Sequence, residues 1–304
     1  MLYSIVDIGA NSIRMNIYGG ENGEYTIVRT ARSMLGLAAL VSNRRMTEEG
    51  IKGLIEVLQS YKEASEAEHA DRFLCFATES LRAPENSSEV VSRIKEETGI
   101  EVEIISGIEE ALYDFEAVKH RFDIAGRTGA VIDMGGGSTE IVSFSGESPK
   151  AVASLKLGCL AMYRYYIRSR DPDEPYPTPY EQRKIMNYSA KLIRRHPEFY
   201  NVGGIAYLIG GTARAIAKLY ADVFDKKIHS VSSLNIYEFK RIKMLARADI
   251  ETHGDFLRRV VGDRLKTIVP GILAYDEILT YLGTKYIIVC DCGVRDGFFI
   301  KNRQ

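Results

Sequence analysis

The stretch VIDMGGGSTEIVSF, residues 131–144, places three consecutive glycines between two acidic side chains. Glycine loses more backbone entropy on folding than any other residue, so three in succession require a structural or chemical reason. One reason is a tight hairpin turn, in which glycine reaches positive φ. The other is a phosphate-binding loop, in which backbone N–H groups approach an anion closely because no Cβ atom intervenes. By itself the stretch favours the hairpin.

A second stretch repeats the same arrangement near the N-terminus. SIVDIGANSIRM (4–15) aligns with AVIDMGGGSTEI (130–141), so that equivalent residues lie 126 positions apart. The equivalent pairs are Asp7 and Asp133, Gly9 and Gly135, and Ser12 and Ser138. Internal repeats indicate duplicated structural units. Two such turns facing each other would surround a polyanion and its counter-cation, so the repeat favours the phosphate-binding interpretation.

Alternating strands and helices must position these two turns. Hydrophobic patterning predicts strands over 2–8, 12–19, 24–30, 72–78, 100–106, 128–134, 139–145, 150–156, 205–209 and 285–291. Apolar residues at helical spacing predict a helix capped by Thr47, and others over 88–98, 108–121, 159–169, 180–195, 212–224, 237–248 and 263–282. The pattern predicts a mixed α/β protein with two domains, 1–124 and 125–304, and a Pro-rich connector over 170–180.

Composition excludes several classes of protein. The 304 residues suffice for two domains, and the net charge of −1 gives no basic field for nucleic acid. No apolar run approaches the ~18 residues of a membrane helix, and the N-terminus has no signal-peptide pattern, so we expect a cytoplasmic protein. Neither the five histidines nor the four cysteines have metal-ligand spacing. A homodimer remains open at this stage.

Seven motifs, spread in one order over nearly the whole chain, carry a family likeness. They are DIGANSIRM (7–15), ATESLRAPEN (77–86), ISGIEEA (105–111), IDMGGGSTEI (132–141), KLGCL (156–160), LIGGTARAIA (208–217) and GVRDG (293–297). With these motifs the sequence resembles the exopolyphosphatase/guanosine-pentaphosphate phosphatase family of the actin-like ATPase superfamily, in its short form. The resemblance implies two ribonuclease-H-like (actin-like) α/β domains with the active site in the cleft between them. It also implies that the segment after about 293 can pack back on the first domain.

The resemblance assigns the catalytic carboxylates. Glu110 matches the family's catalytic base, and Glu140 matches the carboxylate that helps to place the attacking water. On the residues alone, Glu110 would be read as a helix first-turn carboxylate, which is common because it interacts favourably with the helix dipole. The resemblance reverses that interpretation, and it leaves the neighbouring Glu109 facing solvent.

The phosphate and metal ligands are expected from the two turns and their neighbours. Asp7 and Asp133 suit Mg²⁺, or Mn²⁺, because these ions prefer hard oxygen donors and bridge to phosphate oxygens. Arg82 matches a family arginine suited to holding phosphate. Gly210, Gly211 and Thr212 lie at a strand-to-helix turn, where an N-terminus favours anions. The full set of expected phosphate ligands is Gly9, Asn11, Ser12, Arg82, Gly135, Gly136, Gly137, Ser138, Gly210, Gly211 and Thr212.

The expected function is release of terminal phosphate from inorganic polyphosphate or guanosine pentaphosphate, by water activated by a glutamate and assisted by Mg²⁺. Ala10, Met34 and Ala161 depart from residues common in the family, which favours a shorter phosphoanhydride over a long polyphosphate. Two alternatives remain at this stage. One is a small-molecule kinase of the same superfamily, and the other is a non-catalytic sensor of alarmones or nucleotides.

Overall fold

The computed structural model describes residues 1–20, 24–168, 175–227, 229 and 231–303. The chain forms two compact units, one of Met1–Tyr113 with Val294–Gln304 and the other of Asp114–Gly293. Relative to the predicted limits of 1–124 and 125–304, residues 114–124 belong to the second unit and the C-terminal segment belongs to the first. The domain limits themselves stay a prediction.

Strands and helices alternate through the described residues. The strands are β1 Leu2–Ile8, β2 Ile13–Gly19, β3 Thr26–Ser33, β4 Val41–Ser42, β5 Arg45–Met46, β6 Arg72–Ala77, β7 Val102–Ile104, β8 Thr128–Met134, β9 Thr139–Ser145, β10 Ser148–Leu155, β11 Ile205–Ile209, β12 Ser232–Asn235 and β13 Tyr286–Val289. The helices are α1 Glu48–Ala67, α2 Glu79–Arg82, α3 Ser87–Thr98, α4 Gly107–Arg121, α5 Cys159–Tyr166, α6 Pro179–Ile193, α7 Gly210–Val223, α8 Ile236–Glu251, α9 Phe256–Val261, α10 Leu265–Leu282 and α11 Val294–Asn302.

The sheet of the first unit has the strand order β3-β2-β1-β6-β7, with β1, β2 and β3 antiparallel and β6 and β7 parallel to β1. Successive side chains of a strand point to opposite faces. Val6 and Ile8 of β1 therefore join the apolar residues of α1 and α3 in one core. Tyr3 and Ile5 face the other way and pack with the phenylalanines of α11. The strand β1 is thus buried on both faces.

The sheet of the second unit repeats this order as β10-β9-β8-β11-β13, with β12 added antiparallel to β13 at the edge. Its first three strands are antiparallel, and β11 and β13 run parallel to β8 and to each other. A large core forms around α10, the most completely buried helix. No helix in the described ranges is long and apolar enough to cross a bilayer. The prediction of a mixed α/β fold with a duplicated opening is confirmed.

Several element predictions differ from the structure. The third strand begins and ends later than predicted, at Thr26–Ser33, and the helix predicted over 159–169 ends at Tyr166. Position 169 and residues 170–174 of the Pro-rich segment lie outside the described residues. The strand β12 was not predicted, since it has only four residues, two of them serine. The short elements β4, β5, α2 and α9 were not predicted either.

The last helix, α11, which contains Gly297, was expected from the family resemblance as a final helix that can pack back on the first domain, and not from an apolar pattern. Only glycine fits at position 297, because a Cβ there would lie 1.8 Å from the carbonyl oxygen of Tyr113. Close approach of the two backbones lets Phe298 stack on Phe76 with ring centroids 4.6 Å apart. Phe299 stacks on Tyr18 at the same centroid distance of 4.6 Å.

We predict that Phe299→Ala destabilises the first unit, because it removes a buried ring that also contacts Tyr3 edge-on. The expected loss in the free energy of unfolding is about 3–5 kcal/mol, measured by urea denaturation followed by circular dichroism. Tyr165→Ala is the matched control, since that ring is 84% exposed and its loss should change the free energy by no more than ~0.5 kcal/mol. Equal denaturation midpoints for the two variants would contradict the packing described here.

Candidate active site

The first turn follows β1 and is closed by a hydrogen bond from the Gly9 N–H to the Ser12 carbonyl, at 3.2 Å. Two of its carbonyls are held from outside the turn. The Ala38 N–H donates to the Ala10 carbonyl at 2.9 Å, and the Gly36 N–H donates to the Asn11 carbonyl at 3.0 Å. The carbonyl groups of this turn are therefore directed towards the protein.

The second turn follows β8 and repeats that arrangement. The Gly135 N–H donates to the Ser138 carbonyl at 3.0 Å, the equivalent of the bond that closes the first turn. The carbonyls of Gly135 and Gly136 accept hydrogen bonds from N–H groups at the start of α5. The repeat found in the sequence thus has a counterpart in the hydrogen bonding of the backbone.

The amides of both turns are free to bind an anion. Across a trans peptide the C=O of one residue and the N–H of the next point in opposite directions. Because the carbonyls are held by protein donors, the N–H groups of Asn11, Gly136 and Gly137 point away from those donors. These three N–H groups donate to no other described residue. The first turn therefore presents one backbone amide of the kind that binds phosphate, and the second turn presents two.

The two turns differ in the residue opposite the aspartate. Asp7 pairs across the sheet with Arg14, whereas Asp133 pairs with Glu140. The Arg14 Nε donates to the Ser12 Oγ at 3.1 Å. Glu140, which is buried, accepts a hydrogen bond from the Ser154 Oγ at 2.7 Å. Like charges directly opposite on adjacent strands are destabilising, so the pair of Asp133 and Glu140 favours a bound cation.

Asp7 forms an ion pair with Arg295, whose Nη1 lies 3.0 Å from the Asp7 Oδ2. Burial raises the pKa of the Asp7 carboxyl above its ordinary value, and the guanidinium groups of Arg295 and Arg14 offset part of that rise. The sequence reasoning missed Arg295 as a site residue, although it lies in the GVRDG motif (293–297). Because Arg295 lies 288 positions from Asp7 in the sequence, no pattern of neighbouring residues indicates that the two side chains pair.

Arg82 and Glu110, predicted as a phosphate ligand and the catalytic base, contact each other. The Arg82 Nη2 lies 3.3 Å from the Glu110 Oε2, and its Nη1 donates to the Ile105 carbonyl at 2.6 Å. Glu110 is 8% exposed. The contact is longer than the ~2.7–2.9 Å of a strong charge-assisted hydrogen bond. Arg82 therefore orients the Glu110 carboxylate without fully occupying it.

Glu109 has a different environment from Glu110. It is exposed, and its Oε2 accepts a hydrogen bond from the Ser106 N–H at 2.7 Å, while the Ser106 Oγ accepts from the Glu109 N–H at 3.1 Å. This reciprocal pair is a capping box at the start of α4. The hydrogen bond that the Glu109 carboxylate accepts from the Ser106 N–H lowers the pKa of this carboxyl. Glu109 thus stabilises the helix that carries Glu110.

The start of α7 lies against the Asp133 side chain. Gly210 has a φ of 93°, and a Cβ there would lie 2.4 Å from the Asp133 Oδ1. A Cβ on Gly211 would lie 2.3 Å from the Arg264 Nη2, so the half-buried Arg264 guanidinium covers the first turn of the helix. Sequence reasoning missed Arg264 because no motif contains it. Thr212 is 1% exposed, and its Oγ1 lies 3.5 Å from the Cys159 Sγ.

The residues present fit a divalent cation that keeps most of its ligands as water and phosphate. No group of three or more His, Cys, Asp or Glu side chains that could hold a metal occurs in the described part of the chain. Mg²⁺ is usually bound through one or two carboxylates together with substrate phosphates rather than by an all-protein cage. Asp133, opposite Glu140 at the end of β8, supplies that kind of donor.

Three comparisons identify relatives of this chain. Exopolyphosphatase 1 of Mycobacterium tuberculosis (strain ATCC 25618 / H37Rv) is 26% identical over 99% of this chain and 88% of its own length. A guanosine-5'-triphosphate,3'-diphosphate pyrophosphatase of Photobacterium profundum is 26% identical over 86% of this chain and 52% of its own length. The solved structure of the Aquifex aeolicus PPX-GPPA enzyme superposes with a TM-score of 0.82 at 27% identity, covering 99% of both chains.

The sequence model of the Ppx/GppA phosphatase family matches residues 17–303. This match covers nearly the whole chain and confirms the resemblance carried by the seven motifs. The chain belongs to the Ppx/GppA phosphatase family.

Proposed function

We propose that this protein is a phosphohydrolase that releases the terminal phosphate of inorganic polyphosphate or guanosine pentaphosphate. The single observation that carries the proposal is the turn repeated in each unit beside an aspartate at the end of a buried strand. It presents the unbonded N–H of Asn11 in the first unit and those of Gly136 and Gly137 in the second. Family membership and the names of the relatives support the same reaction. They favour hydrolysis over the kinase and sensor alternatives.

The reaction requires neutralisation of charge before attack. The oxygens of a terminal phosphoanhydride repel an incoming nucleophile, and catalysis of phosphoryl transfer depends on positioning and electrostatic stabilisation. Amides fixed in advance stabilise the charge at no cost of reorganisation during the reaction. In this proposal, the N–H groups of Asn11, Gly136 and Gly137 hold phosphate oxygens, with Ser12 and Ser138 beside them. Gly9 and Gly135, also expected as phosphate ligands, use their N–H groups to close the two turns instead.

The proposed base is Glu110. Its carboxylate accepts a proton from the attacking water, and Arg82 keeps it in one orientation through the contact of 3.3 Å. We propose that Arg82 also contacts phosphate, by exchanging the donors that now reach the Glu79 Oε2 at 3.3 Å. Glu140 is proposed to help place the water. Its carboxylate is buried and accepts a hydrogen bond from Ser154.

Gly210 and Gly211 are proposed to line the phosphate path. Thr212, the next residue of α7, is buried and supports this turn.

The proposed cofactor is Mg²⁺, with Mn²⁺ as a substitute. When bound, such an ion would polarise phosphate oxygens and offset their charge. We propose Asp133 and Asp7 as its protein ligands, with Asp133 the stronger candidate because Asp7 already accepts from Arg295. We further propose that the protein acts in the cytoplasm on a polyanionic substrate. In this proposal it needs neither nucleic acid nor a membrane as a partner, and a homodimer is a compatible assembly.

The substrate class is tested by phosphate release. The purified protein with Mg²⁺ is given polyphosphates of graded length, guanosine pentaphosphate and ATP, and inorganic phosphate is measured with malachite green. We expect release from polyphosphate or guanosine pentaphosphate, with little from ATP. Turnover of ATP only when a sugar or carboxylate acceptor is added would instead support the kinase alternative.

The role of Glu110 is tested by Glu110→Gln. The amide keeps the shape of the side chain but cannot accept the proton, and loss of a positioned base costs about 10²–10⁴ in rate. We expect kcat to fall by at least about 10² with KM little changed, the pattern of an interaction made mainly in the transition state.

Glu109→Gln is the matched control for that experiment. Gln at this position preserves the capping box with Ser106, so its kcat should remain close to that of the unmodified protein. Greater damage from Glu109→Gln than from Glu110→Gln would show that the base is assigned to the wrong glutamate.

The metal proposal is tested by chelation and by direct binding. Excess chelator should abolish phosphate release, and Mg²⁺ or Mn²⁺ should restore it, because the donors are hard oxygens. In a thermal-shift titration, Mg²⁺ should raise Tm of the unmodified protein, and Asp133→Asn should raise the Mg²⁺ concentration needed for that shift. Full activity in chelator would contradict the metal assignment.

A further inference from the structure

The segment 157–161, which contains most of the KLGCL motif, lies directly behind the second turn. Its backbone N–H groups donate to the carbonyls of that turn, from Cys159 to Gly135 at 3.1 Å and from Leu160 and Ala161 to Gly136 at 3.1 and 2.9 Å. At the other end, the buried side chain of Thr139 donates to the Leu157 carbonyl. The segment is therefore joined to the turn from both sides.

These bonds replace the usual cap of a helix. The first N–H groups of an α-helix have no partner within the helix and are commonly satisfied by a side chain. The helix α5 begins at Cys159 and has no side-chain cap, and Gly158 precedes it in an extended conformation. The carbonyls of the glycine turn serve as its cap instead, so the helix and the turn satisfy each other.

We propose that 157–161 is the positioning element of the second phosphate turn, with Gly158 and Cys159 as its positioning residues. This inference rests on the proposed function of the turn and adds what holds it in the binding conformation. Drawing the Gly135 and Gly136 carbonyls towards α5 turns the following N–H groups, those of Gly136 and Gly137, to the opposite side. The segment touches no reacting atom in this account and acts only through the turn.

Position 158 needs a glycine because there is no room for a Cβ atom, and not because of its backbone conformation. Its φ of −100° and ψ of 147° are open to any residue. A Cβ at this position, however, would lie 2.1 Å from the Gly136 carbonyl oxygen and 2.3 Å from the Gly137 nitrogen. Any side chain would displace the peptide between Gly136 and Gly137, whose N–H is one of the proposed phosphate donors.

Cys159 connects the turn to the start of α7. Its Sγ lies 3.3 Å from the Gly135 carbonyl as a donor and 3.5 Å from the Thr212 Oγ1 as an acceptor. The side chain is 5% exposed, and burial raises the pKa of the thiol, which keeps it protonated as a donor. The same side chain thus links the two turns of this unit that are proposed to hold phosphate.

The test compares Gly158→Ala with Gly262→Ala in the same unit. A Cβ on Gly262 meets no atom within 4 Å, so this control adds a methyl group without displacing anything. Loss of a preorganised donor costs about 10²–10³ in rate, so Gly158→Ala should lower kcat/KM for tripolyphosphate by about 10². The control should stay near the unmodified value, and circular dichroism should show both variants folded.

The second pair of variants is Cys159→Ala and Cys159→Ser. Removing one hydrogen bond of modest net strength should lower kcat/KM by roughly 2–10-fold in Cys159→Ala. Cys159→Ser retains a donor to Gly135 and should recover most of the loss. Equal activity of Cys159→Ala and Cys159→Ser would contradict the role of this side chain, and this pair remains decisive if Gly158→Ala fails to fold.

A spectroscopic measurement separates this inference from the proposed function. In protein labelled with ¹⁵N-glycine, tripolyphosphate should shift the amide resonances of Gly136 and Gly137, and the shifts should be lost in Gly158→Ala but kept in Gly262→Ala. Binding shifts in the unmodified protein without phosphate release would overturn the hydrolase proposal and leave the inference standing. Unchanged kinetics and unchanged shifts in Gly158→Ala would overturn the inference alone.

Discussion

The two turns depend on one constraint, which is that their backbone carbonyls are already taken by protein donors. Gly36 and Ala38 hold the first turn, and the start of α5 holds the second. Because the peptide bond is planar and trans, fixing a carbonyl also fixes the direction of the next N–H. The amides are thereby set before any ligand arrives. This is the condition under which backbone dipoles stabilise a transition state most effectively.

On this shared backbone arrangement the two turns differ in the charged residue opposite the aspartate. The position across from the aspartate is Arg14 in one unit and Glu140 in the other, and Asp7 has the second cation Arg295 beside it. The first turn thus has two arginines beside its aspartate, which suits phosphate oxygens. The second combines amides with two carboxylates, which suits phosphate together with a metal ion. The two turns therefore share their backbone hydrogen bonding and differ in these charged residues.

Local sequence signals predicted the strands, the turns and the aspartates at their ends, because alternation and glycine runs are properties of adjacent residues. The proposed role of Glu110 as the base required the family resemblance, since a glutamate in a helix first turn is common for other reasons. Arg295 and Arg264 were missed because their partners are distant in the sequence.

The need for a glycine at position 158 could not be predicted either. It arises because the Gly136 carbonyl leaves no space for a Cβ, and not because of the φ of Gly158. Thr212 was predicted as a phosphate ligand, and its burial beside Cys159 shows that a motif position does not establish exposure.

The central claim is that water attacks the terminal phosphorus of a phosphoanhydride held by these turns. It is tested most directly by carrying out the reaction in water enriched in ¹⁸O and analysing both products by mass spectrometry. The account predicts one ¹⁸O atom in the released inorganic phosphate and none in the shortened chain or nucleotide. Label in the shortened product, or released phosphate without label, would contradict it.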